Sequence, residues 1–124
     1  MAGEFRPYWL VDRITFGAAG TGTLELPVGA TEEFRGKRIF FVASAGSFSI
    51  TKIEDRGGIP FTNADSSNPI PSALFLTALD ERTFVAEFGA ELNIAANNAL
   101  KIEVTGGTDT ATLDCIVQGM VRTL

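Results

Sequence analysis

Three acidic pairs, Glu32-Glu33, Glu54-Asp55 and Asp80-Glu81, are the residues of this sequence whose type best suits acid–base chemistry. A carboxylate pair cleaves a glycosidic bond only when the two groups face each other across roughly 5 to 10 Å and an apolar pocket raises the pKa of one. Here each pair is adjacent in sequence and followed within two residues by an arginine, Arg35, Arg56 or Arg82, the pattern of a mutually screened surface. The serines Ser44, Ser47, Ser49, Ser66, Ser67 and Ser72 have no base nearby other than Lys52, whose neighbours alternate like a sheet face. Histidine is absent, which removes the usual general base, the usual partner of a serine or cysteine nucleophile and the commonest zinc ligand. The single Cys115 lies in the alternating segment Leu113, Cys115, Val117 and reads as a small buried hydrophobe with no disulfide partner.

Two further stretches imitate binding motifs. Gly17 to Gly22 follows a strand, but a second strand comes where a phosphate loop needs a helix N-terminus, and no lysine follows the last glycine. Asp65, Ser66, Ser67 and Asn68 offer oxygens without the spacing or glycine of a calcium loop. The expectation is a chain that is not an enzyme, with no catalytic residue, no cofactor and no metal.

The elements that carry these residues read as strands. Val11–Phe16, Thr23–Val28, Ala73–Ala78, Thr83–Phe88 and Leu100–Thr105 alternate or run apolar, and Ala111 to Val121 holds one phase for eleven residues. A strand that long predicts a place deep in a sheet with neighbours on both sides, while Ile116 and Met120 on its other phase predict partial cover there too. Arg38–Asp55 reads as one β-hairpin turning at Ala45-Gly46, its first arm apolar on both faces from Ile39 to Ala43. Gly29–Lys37 and Glu91–Ala99 each allow a brief helical turn, and Thr62–Pro71 must be an exposed loop. The sum is an all-β chain, a single eight-stranded antiparallel β-sandwich of jelly-roll type over residues 11–124, preceded by an N-terminal arm at 1–10.

Composition narrows the partners. With 10 basic and 15 acidic residues in 124, and the basic ones scattered, nucleic acid is not an expected partner. No stretch approaches the roughly 20 apolar residues of a membrane span, and the first residues lack a basic leader, so synthesis in a cytoplasm is expected. The arm carries Phe5, Arg6, Tyr8 and Trp9, aromatic residues crowded ahead of the first clear strand, which are the candidate protein-interface residues. Tyr8 and Trp9 are also the only amphipathic rings for stacking on a sugar, so a carbohydrate- or receptor-binding sandwich of lectin or phage-fibre kind is the alternative.

The closing half, from Phe61-Thr62-Asn63 through the Leu-Phe strand to NALKIEVTGGTDTATLDCIVQG read as a hairpin of two long strands, resembles the small jelly-roll structural proteins of tailed-phage virions, the capsid cement or decoration class. That resemblance implies a homo-oligomer, commonly a trimer, seated on major capsid protein at the virion surface. In that setting the loop at 62–71 is free to meet a host-surface glycan. No site residue carries over from the class, because it has no fixed motif.

Overall fold

The computed structural model describes residues 3–74, 76–77 and 83–124, and for residues 74, 76–77 and 83–91 the backbone alone. Those residues form nine strands: β1 (Arg6–Thr15), β2 (Gly22–Pro27), β3 (Glu32–Ala43), β4 (Ser49–Asp55), β5 (Ile70–Pro71), β6 (Leu76–Thr77), β7 (Thr83–Ile94), β8 (Ala99–Thr105) and β9 (Thr112–Thr123). A 3-10 turn at Ser72–Leu74 is the one helical element among them. The strands make two antiparallel sheets, one ordered β1-β9-β3-β7-β6 and the other β2-β8-β4-β5. The all-β sandwich expected from the alternation is therefore present, with β5 and β6 only two residues long.

The core lies between the sheets and is filled by one phase of each strand. Leu113, Cys115, Val117 and Val121 of β9 are buried, as are Ile39 and Phe41 of β3, and they face Leu24 and Leu26 of β2, Ile50 of β4, and Leu100 and Ile102 of β8. β9 sits between β1 and β3, the interior position that its length predicts. Gly119 continues its inward phase without a side chain. A Cβ there would run into the Arg35 carbonyl and come within 2.8 Å of the tip of the Phe34 ring, so the ring fills that place instead.

Four expectations are corrected. The stretch 38–55 is not a hairpin, because β3 and β4 lie in different sheets. Phe41 and Phe48, 5.3 Å apart between ring centroids, are both buried, and bringing Phe48 into the core carries the chain across the gap rather than back beside β3. Main chain from both ends of the crossing is tied down: the Ser44 N–H donates to Thr112 O at 2.9 Å, and the Phe48 N–H to the buried Ser72 Oγ at 3.2 Å. The stretch from Asn98 to Gly119 is likewise two strands in different sheets, β8 and β9. At that crossing Gly107 lies against Phe16 and its N–H donates to Gly20 O at 2.9 Å, with Gly20 at φ 71°. Neither 29–37 nor 91–99 is helical: β3 begins at Glu32 with Phe34 inward, and β7 continues to Ile94, pairing with Phe34, before a turn in which Asn97 takes φ 59°.

The fourth correction concerns the N-terminus. Arg6–Leu10 are paired with Val117–Val121 of β9, so the boundary expected at residue 10 falls inside β1. Alternation hides there because Arg6 and Tyr8 occupy the inward phase yet stay exposed. Pro7 fits because β1 is an edge strand. The Phe16 N–H donates to Ala111 O, so even-numbered residues of the ladder turn their main-chain groups toward β9 and Pro7 has none to offer on the open side. The loop at 62–71 is largely exposed as expected, its turn held by the Ser67 and Asn68 N–H groups donating to Asp65 Oδ1. The turn expected at Asp80-Glu81-Arg82 lies outside the described residues.

Candidate interface on the outer face of the five-stranded sheet

Two of the acidic pairs are dispersed by the fold, and the third, Asp80-Glu81, lies outside the described residues. Glu32 pairs with Arg6 at 3.7 Å and Glu33 with Arg122; Glu54 pairs with Lys101 at 3.9 Å. Asp55 accepts hydrogen bonds from the Ile59 N–H at 2.9 Å and the Asn98 side chain at 3.2 Å. Those contacts, the Ile59 amide first, hold its carboxyl below the usual carboxylate range. A surface depression lined by Thr23, Thr51, Ser66 and Glu103 brings in one carboxylate, not an opposed pair. No group of three His, Cys, Asp or Glu suited to a metal occurs among the described residues. Cys115 is buried, and burial, aided by the nearby Asp12 carboxylate, pushes its thiol far above the ordinary range, so it carries no thiolate near neutrality.

What the fold does assemble is a surface. The outward phases of β1, β9 and β3 run side by side in register: Pro7, Met120 and Arg35; then Trp9, Gln118 and Arg38; then Val11, Ile116 and Phe40; then Arg13, Asp114 and Val42. Their centre is apolar. Trp9 is 56% and Val11 62% exposed, with Val42 also open, while Ile116 and Phe40 are partly shielded by their neighbours. Of the six large apolar side chains that are exposed among the described residues, Trp9, Val11 and Val42 lie on this face.

Guanidinium groups border this strip. Arg38 lies over the Phe40 ring at 6.0 Å, and Arg13 donates to both carboxylate oxygens of Asp114, at 2.6 and 3.2 Å. That pairing raises the Arg13 pKa, its side-chain hydrogen bond contributing most. At the far end Phe5 is held between Arg35 at 4.2 Å and Arg122 at 4.8 Å, and is half-buried. On β1, β9 and β3 this face holds four basic residues, Arg13, Arg35, Arg38 and Arg122, and two acidic ones, Glu33 and Asp114, in a chain of formal charge −5. Aromatic residues, Met and Arg with few Lys or Glu is the composition of protein–protein contact surfaces.

Of the four candidate interface residues, Trp9 belongs to the open strip and Phe5 is pinned at its margin. Arg6 and Tyr8 emerge on the other side of β1, with the Arg6 guanidinium 5.3 Å from the Tyr8 ring centre. Sequence reasoning did not single out Val11, Phe40 or Val42. The signal was in the apolar run Ile39–Ala43 and in Ile116 and Met120: both marked the outward phase as covered, and the described residues leave it open.

No family model matches the chain, and no curated protein matches it in sequence. Among solved structures, the chain is similar to one from a cyanophage Pam1 capsid asymmetric unit. That likeness has 13% identity and a TM-score of 0.46 over 95% of this chain and 85% of the other.

Proposed function

We propose that this chain is a non-enzymatic structural protein of a bacteriophage virion, a capsid cement or decoration subunit that stabilises the shell by docking on major capsid protein. The observation that carries the reading is the apolar, arginine-bordered outer face of the five-stranded sheet, on a domain whose carboxylates are dispersed into surface pairs. Exposed contiguous apolar surface on a small domain marks a contact site. Repetition of such a contact over a lattice multiplies a modest affinity, because neighbouring contacts must open together.

The strand partition supports the finer fold. β1, β3, β7 and β9 fall in one sheet and β2, β4, β5 and β8 in the other, with successive long strands crossing between sheets, as two interwound Greek keys require. In this reading the domain is a jelly roll on the outer surface of the virion, Phe5, Arg6, Tyr8 and Trp9 lie at or beside the contact, copies associate with one another, and the loop at 62–71 stays free to touch a host glycan.

The test is co-sedimentation of purified chain with shells of the phage that encodes it, stripped of this protein, followed by thermal melting of the shells. Binding that raises the shell melting temperature and is lost in Trp9→Ser/Val11→Ser supports the proposal. A chain that stays in the supernatant overturns it. Glycan affinity abolished by Trp9→Ala would favour the carbohydrate-binding alternative.

A further inference from the structure

The two sheets have four edges, and they are protected unequally. The five-stranded sheet ends at β6, which among the described residues pairs with Phe84 and Val85 alone of β7, and the four-stranded sheet at β5, beyond which the Phe61 N–H donates to Ile53 O and the Asp55 N–H to Ile59 O along β4. The edge at β2 lies against the second half of β1: the Glu25 N–H donates to Asp12 Oδ2 at 2.8 Å, and Gly22 packs on Ile14. A further edge is the first half of β1, from Arg6 to Val11, on the N-terminal side of the Asp12 contact with β2. Its odd-numbered residues direct the N–H groups of Trp9 and Val11 and the C=O groups of Pro7, Trp9 and Val11 away from β9. An open edge of this length is normally blunted by lysine, a bulge or a covering loop. Pro7 interrupts it here, and apart from the buried Leu10 its large apolar side chains are exposed: Tyr8 38%, Trp9 56%, Val11 62%.

We propose that this edge pairs antiparallel with the same edge of a second copy, about a two-fold axis at Trp9. The chemistry of Arg6–Asp12 is self-complementary about that residue. Arg6 meets the partner's Asp12, Pro7 meets the partner's Val11, Tyr8 meets the partner's Leu10, and Trp9 meets itself. Both Trp9 N–H groups then donate to the partner's Trp9 carbonyl, and both Val11 N–H groups to the partner's Pro7 carbonyl, while the missing Pro7 N–H leaves each Val11 carbonyl to water. Arg6 is free enough for this, its side chain 58% exposed in a long 3.7 Å pair with Glu32. A two-fold contact is isologous, each residue of one copy meeting its complement on the other. It joins two five-stranded sheets into one continuous sheet and makes the two outer apolar strips a single surface. The inference stands on β1 alone and does not need the capsid reading, which is why its test contains no capsid.

Native mass of the purified chain across micromolar concentrations, with two variants, decides it. A dimer is expected. Val11→Pro removes a donor on the open side only, so it should weaken the dimer at least about tenfold while the β1–β9 ladder and the melting curve of the monomer persist. Trp9→Cys should form a disulfide-linked dimer on oxidation, since directly opposed residues of such a pair lie about 5.5 Å apart at Cα. Arg13→Cys, which would face Phe5 of the other copy with the partner's cysteine eight positions further along the strand, should not. A monomer at every concentration overturns the proposal, and so does a trimer. A dimer indifferent to Val11→Pro, with no cross-link through Trp9→Cys, overturns it equally.

Discussion

The two sheets turn different chemistry to the outside. On the four-stranded sheet, Glu25 and Glu54 flank Lys101 across three strands, Lys52 pairs with Glu103 at 3.7 Å, and Arg56 reaches Glu25 at 3.3 Å. Every cation there is met by a carboxylate of the same sheet, an arrangement at ease in water. On the five-stranded sheet the equivalent positions are Trp9, Val11, Ile116, Phe40 and Val42, with arginines lying on rings at the margin. Both sheets bury an apolar interior, so the presence of a core does not distinguish them. The difference teaches that the outward phase of a strand carries the information about partners, and that it is read only after the fold has set strands side by side.

The largest effect should come from the two faces of one strand. Phe41→Ala, which empties a fully buried site against Phe48, is expected to cost about 3–5 kcal/mol in denaturant unfolding, whereas Phe40→Ala, one residue away and outward, should cost under about 1 kcal/mol. Equal costs would mean that the outer strip is covered by its own chain. Next, Gly119→Ala forces a methyl against the Arg35 carbonyl and the Phe34 ring, and should destabilise by about 1–3 kcal/mol, seen as a lowered melting temperature.

Smaller in stability, but sharper in contrast, is the pair Trp9→Ser/Val11→Ser against Lys101→Ala. The first should leave unfolding within about 1 kcal/mol of the parent and abolish association; the second should shift unfolding by no more than about 0.5 kcal/mol and leave association untouched. Loss of association in both would erase the distinction between the faces.

The mildest effect is a pH dependence on the four-stranded side. The Asp55 carboxyl is held below its ordinary value by the Ile59 amide, with lesser help from Asn98 and the Gly57 and Gly58 amides. Its folded pKa lies below its unfolded one, so its contribution is complete above the unfolded value of about 3.9 and is lost as pH falls through the folded value. Stability measured from pH 5 downward should fall less steeply in Asp55→Asn than in the parent, and a titration of the Asp55 carboxyl by NMR should give a midpoint under the ordinary one.

Much of the fold was legible in the sequence because burial on one side imposes a period of two. β8 and β9 announced themselves through Leu100, Ile102 and Val104 and through Leu113, Cys115 and Val117, every one of them inward. Which strands pair was not legible. The turn at Ala45-Gly46 and the glycines at 106–107 look the same whether a chain folds back beside itself or crosses to the opposite sheet, and only the docking of Phe48, and of Gly107 against Phe16, decides it. The candidate surface was half legible for the same reason. Trp9, Ile116 and Met120 stand out as apolar residues in the wrong phase, but their becoming one strip with Val11 and Phe40 depends on β1 and β3 flanking β9, which no local pattern encodes.

The most direct test of the account is hydroxyl-radical footprinting of the chain, free and assembled in its particle, read by mass spectrometry at individual side chains. Trp9, Phe40 and Met120 should be oxidised readily in the free chain and protected on assembly, while Lys52, Lys101 and Ile59 on the four-stranded side keep their free-state reactivity. Protection of the second group with Trp9 and Phe40 left reactive would contradict it.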